Sequence, residues 1–492
     1  MADVKPFRVS VPESELKYLR QRLDTARYPD ILTNIAPWED GTDLDYFKGF
    51  IDYWRLSYDW RKWEGTLNSM AQFTATIKGI QLHFVWERSD NKDAVPLLLL
   101  HGWPGSYFEF YKLIPILKAK VCRYHIVAPS LPGGGSSSSR SSGGGGSSSE
   151  GSSGVSVFYL VSTGYGWSSA ATERGMGVTA IAGIMDSLMS QLGYGHYMAQ
   201  GGDWGSIIAR ALGVYHPDSC AAIHINMCVA RPSMTNPWHL AQVVNAWLAP
   251  SLPLTMTESE LQGVKAMHQF ERDESGYQKI QGTKPQTLAY ALTDSPVGLA
   301  AWILEKVRTW SDCGGTPDAA LSKDEVLTNI AIYWFGGRIA SSMRLYKETL
   351  GNKGEMQALL KPYCTTPTGV AIFPCELYRP PQSWAKSIYN VQLWSQMPQG
   401  GHFAAWEQPQ LLAEEIRKPT PCHTAYTRVA KGRHHPCTFC TIPGFCVKFY
   451  SKARGAVLEE AERLVALGLV QLNLIAEDTN QYIWTAIIFV PA

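Results

Sequence analysis

A glycine-rich turn with an aspartate at its centre is the part of the sequence that most directly indicates chemistry. The run Gln-Gly-Gly-Asp-Trp-Gly-Ser at 200–206 follows an apolar-leaning segment at 194–199 and leads into a helix-like segment at 206–215. A strand, a tight glycine turn and a helix are typical of a nucleophile elbow, which exposes one side chain above a parallel sheet. That side chain would be Asp203, whose carboxylate would attack carbon directly and form an alkyl-enzyme ester. The alternative is a purely structural turn, because Gly and Asp favour turns for local reasons.

A carboxylate nucleophile needs a base to hydrolyse its ester, an acid to orient that base, and donors for the oxyanion. His402 follows the last predicted strand and Glu376 ends the strand before it, in the order nucleophile, acid, histidine. The predicted oxyanion donors are the backbone N–H groups of Trp204, directly after the nucleophile, and of Trp103. Each of these residues also has a structural interpretation when taken singly. Their joint placement at the carboxyl ends of strands favours a catalytic triad around Asp203.

Short apolar segments that alternate with helical ones predict the scaffold that would position these residues. They favour an α/β fold, a doubly wound and mostly parallel sheet whose ligands bind at the carboxyl ends of the strands. Helical patterns are expected at 6–60, where an aromatic stripe indicates packing, and at 107–117. Residues 230–350 read as a helical cap. The predicted strands are at 73–77, 80–86, 95–100, 124–132, 220–226, 368–373 and 391–394.

The composition is that of an ordinary globular protein. The 492 residues are 45% hydrophobic and 18% charged, with a net charge of +1, which argues against nucleic acid or an anionic membrane as the main partner. No run reaches the roughly 18–20 apolar residues that span a bilayer, and the first residues lack the apolar segment of a signal peptide. Ten cysteines in a chain of this length do not suggest a disulfide scaffold. A cytoplasmic location without a transmembrane anchor is therefore expected.

Two segments depart from this pattern. Residues 133–154 consist almost entirely of glycine and serine, which bury little and favour a flexible coil, and a short apolar piece follows at 155–161. The tail beyond residue 418 contains His434, Cys437 and Cys440 in close spacing. Zinc is the alternative interpretation there, but a zinc module usually shows two well-spaced ligand pairs, and only Cys437 and Cys440 form a clear one.

Several longer motifs resemble the epoxide hydrolases of the α/β-hydrolase fold, in particular the microsomal-type branch and its soluble fungal relatives. The resemblance covers about 6–132 and 164–418. It rests on His-Gly-Trp-Pro-Gly-Ser at 101–106, Gln-Gly-Gly-Asp-Trp-Gly-Ser at 200–206, Thr-Lys-Pro-Gln-Thr at 283–287, Asp-Ser-Pro-Val-Gly-Leu-Ala-Ala at 294–301 and Gly-Gly-His-Phe-Ala-Ala at 400–405.

The resemblance implies an α/β-hydrolase fold, with a mostly parallel central sheet, helices on both faces, a helical cap and an N-terminal helical meander. The expected divisions are a meander with the first hairpin at 1–89, a core in two parts at 90–229 and 351–418, the cap at 230–350, and an atypical tail at 419–492. Relatives lack segments such as 134–163 and 419–492. Our hypothesis is that these two are gene-model artefacts.

The resemblance also implies roles for individual residues. Asp203 matches the nucleophile, His402 the base and Glu376 the acid, while Tyr277 and Tyr346 match two cap tyrosines that polarise the epoxide oxygen. The expected partners are a small-molecule epoxide and water, with no cofactor or metal, and a homodimer is possible in principle. Haloalkane dehalogenase is the alternative activity, although it would need side-chain N–H donors for halide rather than paired tyrosines. A catalytically inactive binding protein on the same fold is the other alternative.

Overall fold

The chain divides into two compact units, Met1–His434 and His435–Ala492. The computed structural model describes residues 3–91, 93–119, 123–133, 164–169, 171, 173–248, 253–351, 353–418, 472–475, 478–479, 482–483 and 486–489. The glycine–serine segment, the apolar piece at 155–161 and the zinc candidates His434, Cys437 and Cys440 lie outside these residues. The described part of the second unit consists of two antiparallel strand pairs: β10 (Leu472–Ile475) with β13 (Ala486–Phe489), and β11 (Asp478–Thr479) with β12 (Tyr482–Ile483).

The first unit is built on a nine-stranded sheet, counted over the described residues, in the order β1-β2-β3-β5-β4-β6-β7-β8-β9. The strands β1 to β3 and β5 pair antiparallel, and every pairing from β5 through β4 to β9 is parallel. Helices cover both faces, so the predicted α/β-hydrolase fold is confirmed. The strands are Lys5–Pro6, Gln72–Ile77, Ile80–Glu87, Val95–Leu100, Tyr124–Pro129, Tyr197–Gly201, Cys220–Ile225, Cys364–Ile372 and Tyr389–Gln396.

The central strands are apolar because both of their faces are covered. Every residue of β6 and β7 is buried, as is every residue of β4 after the first. A strand of this kind reads as a continuous apolar run rather than as an alternating one. This explains why β4 could be predicted from its leucines. The helices around the sheet are α4 (Leu113–Lys118), α5 (Val178–Gln191), α6 (Asp203–Tyr215), α14 (Lys353–Leu360), α15 (Gln382–Lys386), α16 (Ala404–Glu407) and α17 (Pro409–Arg417).

All the regular structure described between β7 and β8 is helical, in line with the expected cap. Its longer helices, which we call the cap helices, are Pro237–Leu248 (α7), Glu258–Gln269 (α8), Gly276–Thr283 (α9), Pro285–Asp294 (α10), Pro296–Trp310 (α11), Lys323–Gly336 (α12) and Ile339–Thr349 (α13). The finer division of the first unit into meander, core and cap stays a prediction. None of the helices in the described ranges combines the length and the apolar character needed to cross a membrane.

One helical segment differs from the sequence expectation. The single helix expected at 107–117 is a 3-10 turn, Tyr107–Phe110, followed by the separate helix α4. Pro115 explains the break, because a residue without an N–H is tolerated only within the first turn of a helix. The aromatic residues after residue 43, in the region expected to be mostly helical, lie on α2 (Leu44–Leu56) and α3 (Trp60–Leu67), and the Asp59 carboxylate caps the second helix.

The N-terminal helices, which begin with α1 (Glu13–Asp24), pack against the cap helix α12. The Trp60 ring lies 4.8 Å from that of Phe335, and Tyr58 shares a 3.0 Å hydrogen bond with Thr328. Tyr53 donates to Asp324 on the same helix over 2.7 Å. The aromatic stripe is therefore mainly packing, as predicted, and its hydroxyl groups tie the N-terminal segment to the cap.

Arg210 anchors the helix that begins with Asp203. Its buried guanidinium lies 4.5 Å from the centre of the Tyr389 ring. It also donates hydrogen bonds to the backbone carbonyl oxygens of Leu359, Leu360, Pro362 and Ile388. One buried side chain therefore satisfies acceptors at the end of α14 and just before β9.

Replacing Arg210 with methionine should destabilise the protein, because the four carbonyl oxygens would lose their buried donor. We expect the free energy of unfolding to fall by about 3–5 kcal/mol. Urea unfolding followed by tryptophan fluorescence measures this change, with Arg20→Met on the exposed face of α1 as the control. An Arg210→Met variant that unfolds at the same urea concentration as the wild type would contradict the anchoring role.

Candidate active site

Asp203 lies at the junction of β6 and α6, at the carboxyl ends of the parallel strands. Its φ of +46° is in the left-handed region, which aspartate tolerates better than most residues. The turn is this sharp because Gly201 and Gly205 lack side chains. A Cβ on Gly201 would lie 2.3 Å from the Gly205 backbone, and a Cβ on Gly205 would lie 2.0 Å from the carbonyl oxygen of Leu100. The elbow predicted from the glycine spacing is therefore present.

The turn after β4 brings a backbone donor to this carboxylate. The N–H of Trp103 donates to Oδ1 of Asp203 over 2.7 Å. The approach requires Gly102, because a Cβ there would lie 2.2 Å from that of Asp203. Trp204 is the second residue of α6, so its N–H is one of the helix's N-terminal donors, and the helix dipole favours a negative charge at this end. The structure thus places the Trp103 N–H at the carboxylate. The role of the Trp204 N–H as an oxyanion donor stays a prediction.

The loops after β8 and β9 place Glu376 and His402 beside Asp203. His402 Nδ1 lies 2.7 Å from Glu376 Oε1, and His402 Nε2 lies 3.3 Å from Asp203 Oδ2. An isolated parallel bridge between Cys375 and Gly401 joins the two loops one residue before each of these side chains. Glu376 and His402 are 2% and 4% exposed. The three residues predicted as a triad therefore form one contiguous line, which is buried at Glu376 and His402 and partly exposed at Asp203.

The electrostatics of this line favour a charged histidine while Asp203 is free. Burial alone would lower the pKa of His402. The negative charge of Glu376 and the interactions with Asp203 outweigh burial and raise the pKa of His402 well above its usual value. The Leu377 backbone N–H also donates to Glu376 Oε1, which keeps that carboxylate oriented toward the imidazole.

Tyr277 on α9 and Tyr346 on α13 enter the same site from the cap. Their rings lie 5.7 Å apart, and the Trp103 ring lies 5.4 Å from that of Tyr277 and 5.6 Å from that of Tyr346. Burial in the first place, and also the charge of Asp203, raise the pKa of both phenols well above the usual value. Both side chains therefore keep their protons at neutral pH and can act as donors.

Four buried polar atoms of this site make no hydrogen bond to any residue that the structure describes. They are Tyr346 Oη and the indole Nε1 atoms of Trp103, Trp204 and Trp310. An unsatisfied buried polar group costs about 1–3 kcal/mol, so native proteins rarely collect them in one place. The cluster indicates a site shaped for a polar atom of a bound molecule.

Sequence reasoning missed several residues of this site, among them Trp310 and Gln278. Trp310 ends α11, its ring lies 5.1 Å from those of His402 and Tyr277, and its carbonyl accepts the His402 N–H over 2.9 Å. Gln278 donates its amide N–H to the Tyr277 hydroxyl over 3.1 Å. Neither residue carries a sequence signal, because its position depends on how the cap helices pack against the sheet.

The sheet order, the elbow and the helical insertion between β7 and β8 define an α/β hydrolase. Residues 4–110 match the family model described as the epoxide hydrolase N terminus, and residues 95–268 match that of the alpha/beta hydrolase fold. A putative epoxide hydrolase from Stigmatella aurantiaca is 38% identical over 84% of this chain and 84% of that protein. Epoxide hydrolase 1 from Oryctolagus cuniculus is 34% identical over 84% of this chain and 88% of that protein.

The solved structure of Aspergillus niger epoxide hydrolase agrees with these sequence relationships. It superimposes with a TM-score of 0.70 and 29% identity, over 87% of this chain and 96% of that chain. The chain belongs to the epoxide hydrolase family.

Proposed function

We propose that the protein hydrolyses epoxides to vicinal diols through an alkyl-enzyme ester on Asp203. The observation that carries the proposal is the presence of two protonated phenols, Tyr277 and Tyr346, in the same buried site as the elbow carboxylate. An epoxide is uncharged and opens readily only when carbon is attacked and oxygen is protonated together. The site holds both kinds of group, and the family of the chain supports the same substrate class.

The first step opens the ring. Oδ2 of Asp203 forms a bond to one epoxide carbon, the carbon–oxygen bond of the ring breaks, and a tyrosine donates its proton to the departing oxygen. Oδ1 remains on the Trp103 N–H, so it becomes the carbonyl oxygen of the ester. The negative charge of Asp203 helps to raise the pKa of His402. Ester formation removes that charge and so lowers the pKa of His402. His402 therefore gives up its proton more readily when the ester is present, to the tyrosinate left by ring opening, and the neutral imidazole can then act as the base.

The second step hydrolyses the ester. His402, oriented by Glu376, takes a proton from water, and the hydroxide attacks Cγ of Asp203. The Trp103 N–H then stabilises the oxyanion on Oδ1. The intermediate expels the diol oxygen, which receives the proton from His402. The carboxylic acid left at Asp203 releases a proton equivalent to the one the tyrosine gave up, so the cycle closes without a cofactor.

Epoxide hydrolase, haloalkane dehalogenase and an inactive binding protein differ in the product that each would release. Incubation with a styrene-oxide-type epoxide and, separately, with a haloalkane distinguishes them, with diol and halide measured in parallel. We expect diol release without halide release. Halide release in place of diol would favour the dehalogenase alternative, and release of neither product would favour an inactive binding protein.

Replacing Tyr277 or Tyr346 with phenylalanine should slow ring opening. We expect each single change to lower the alkylation rate constant by about 10- to 100-fold, and the double change to lower it further, because each phenol supplies one donor to the oxygen. Stopped-flow tryptophan fluorescence with excess substrate measures this rate constant.

The exposed cap residue Tyr290 supplies the matched control, Tyr290→Phe. Tyr346→Phe should also leave stability unchanged or slightly raised, because the hydroxyl has no partner among the described residues. If both single variants open the ring at the wild-type rate, the phenols are not the acids of the reaction.

A further inference from the structure

A small cavity adjoins Asp203 and His402 within the active site. Its volume is about 10 Å³, which is room for about one water molecule and not for an organic substrate. The polar side chains of Glu109 and Gln200 line it together with those of the nucleophile and the base. Neither Tyr277 nor Tyr346 lines this cavity, although Trp103 lines it and also contacts both tyrosine rings.

Two polar atoms of residues that line this cavity have no hydrogen-bond partner among the described residues, Gln200 Oε1 and Trp103 Nε1. His402 Nε2 also belongs to the lining, and it lies 3.3 Å from Asp203 Oδ2. The amide nitrogen of Gln200 donates to Asn226 Oδ1 over 2.9 Å, which fixes the amide and leaves Oε1 as an acceptor. A buried water makes two to four hydrogen bonds, so these atoms supply part of what one water needs.

The Glu109 carboxyl is another polar group that lines the cavity, and ring opening gives it no task. Glu109 is 8% exposed and lies in the 3-10 turn after β4. A Cβ on Gly105 would lie 1.3 Å from Glu109 Oε1, so the carboxyl fills space within the turn that also supplies the Trp103 N–H. Burial first, and the nearby charge of Asp203, raise the pKa of Glu109 to about 8, although His402 opposes the shift. The carboxyl is then mostly neutral at pH 7 and can both donate and accept.

We propose that this cavity holds the water that hydrolyses the ester, and that Glu109 is the positioning residue for that water. The inference rests on the proposed function, because it needs an ester on Asp203. Glu109 accepts or donates one hydrogen bond to the water, while His402 Nε2 accepts the proton that the water loses. The hydroxide forms its bond to Cγ of Asp203, and the diol oxygen leaves as described above. Glu109 itself neither gains nor loses a proton in the step.

The test separates the two half-reactions in the full-length chain. Styrene oxide is mixed rapidly with Glu109→Leu, Glu109→Gln and His402→Gln, and the alkylation and hydrolysis rate constants are measured by stopped-flow fluorescence and quenched-flow mass spectrometry. For Glu109→Leu we expect hydrolysis to slow by about 10- to 100-fold, because the water loses one of its few partners, while alkylation changes less than about threefold. The ester on Asp203 then accumulates.

The glutamine variant keeps a group that donates and accepts, so we expect it to hydrolyse the ester at least about tenfold faster than the leucine variant. Equal hydrolysis in Glu109→Leu and the wild type would overturn the proposal. A parallel fall of both rate constants, or no recovery in Glu109→Gln, would also overturn it, because a structural role does not distinguish the two steps. An ester that fails to form even in His402→Gln would overturn the proposed function as well.

Discussion

Replacing Asp203 with alanine is expected to abolish diol formation, with a fall in turnover of about 10⁴- to 10⁶-fold. The size of the loss follows from the chemistry, because the variant lacks the atom that bonds to the epoxide carbon. His402 would keep Glu376 but would have no ester to hydrolyse. Gas chromatography of the diol after long incubation measures the residual rate, and intact-protein mass spectrometry checks that no covalent adduct forms.

The fold should survive this change. Alanine tolerates a φ of +46° less well than aspartate does. We expect the substitution to lower the free energy of unfolding by about 1–2 kcal/mol. Circular dichroism and thermal melting establish that the variant is folded, and Asp90→Ala, in the exposed loop after β3, is the matched control with wild-type activity. Turnover by folded Asp203→Ala at a rate near that of the wild type would remove the mechanism.

Replacing His402 with glutamine should have the second-largest effect, and a different one. The nucleophile and both phenols remain, so the ring still opens and the ester still forms. Its hydrolysis should slow by about 10³- to 10⁴-fold, because no base accepts the proton of the attacking water. Mixing enzyme with excess epoxide is therefore expected to consume one equivalent of substrate and then to stop.

Intact-protein mass spectrometry should show the mass of the epoxide added to His402→Gln, and peptide mapping should place it on Asp203. His268→Gln, on the exposed face of α8, is the control and should turn over normally without a detectable adduct. A steady rate of diol release by His402→Gln, without a burst and without an adduct, would show that His402 does not act on an ester.

The sequence was sufficient to predict those parts of the fold and the site that depend on local sequence patterns. The elbow follows from Gly201 and Gly205, whose missing side chains allow the close approaches that the structure contains. The strand β4 follows from a run of leucines buried on both faces. Asp203, Glu376 and His402 were found because each ends or follows a strand, and the carboxyl ends of parallel strands meet at one edge of the sheet.

The rest of the site depends on contacts between distant segments. Nothing near Tyr277 or Tyr346 distinguishes them from the other tyrosines, and only the family resemblance singled them out. Trp310 and Glu109 gave no signal at all. Trp310 reaches the site through the packing of α11. Glu109 reaches it because the segment expected as one helix at 107–117 begins with a 3-10 turn.

The central claim is that Asp203, and not water, attacks the epoxide. A single turnover in water enriched in oxygen-18, with enzyme in excess over epoxide, tests it directly. If the ester forms, the new hydroxyl oxygen of the first diol comes from the Asp203 carboxylate. The diol is then unlabelled, and the peptide that contains Asp203 gains oxygen-18. Direct attack by water would give the opposite result, a labelled diol and an unlabelled Asp203, and would contradict the mechanism proposed for this site.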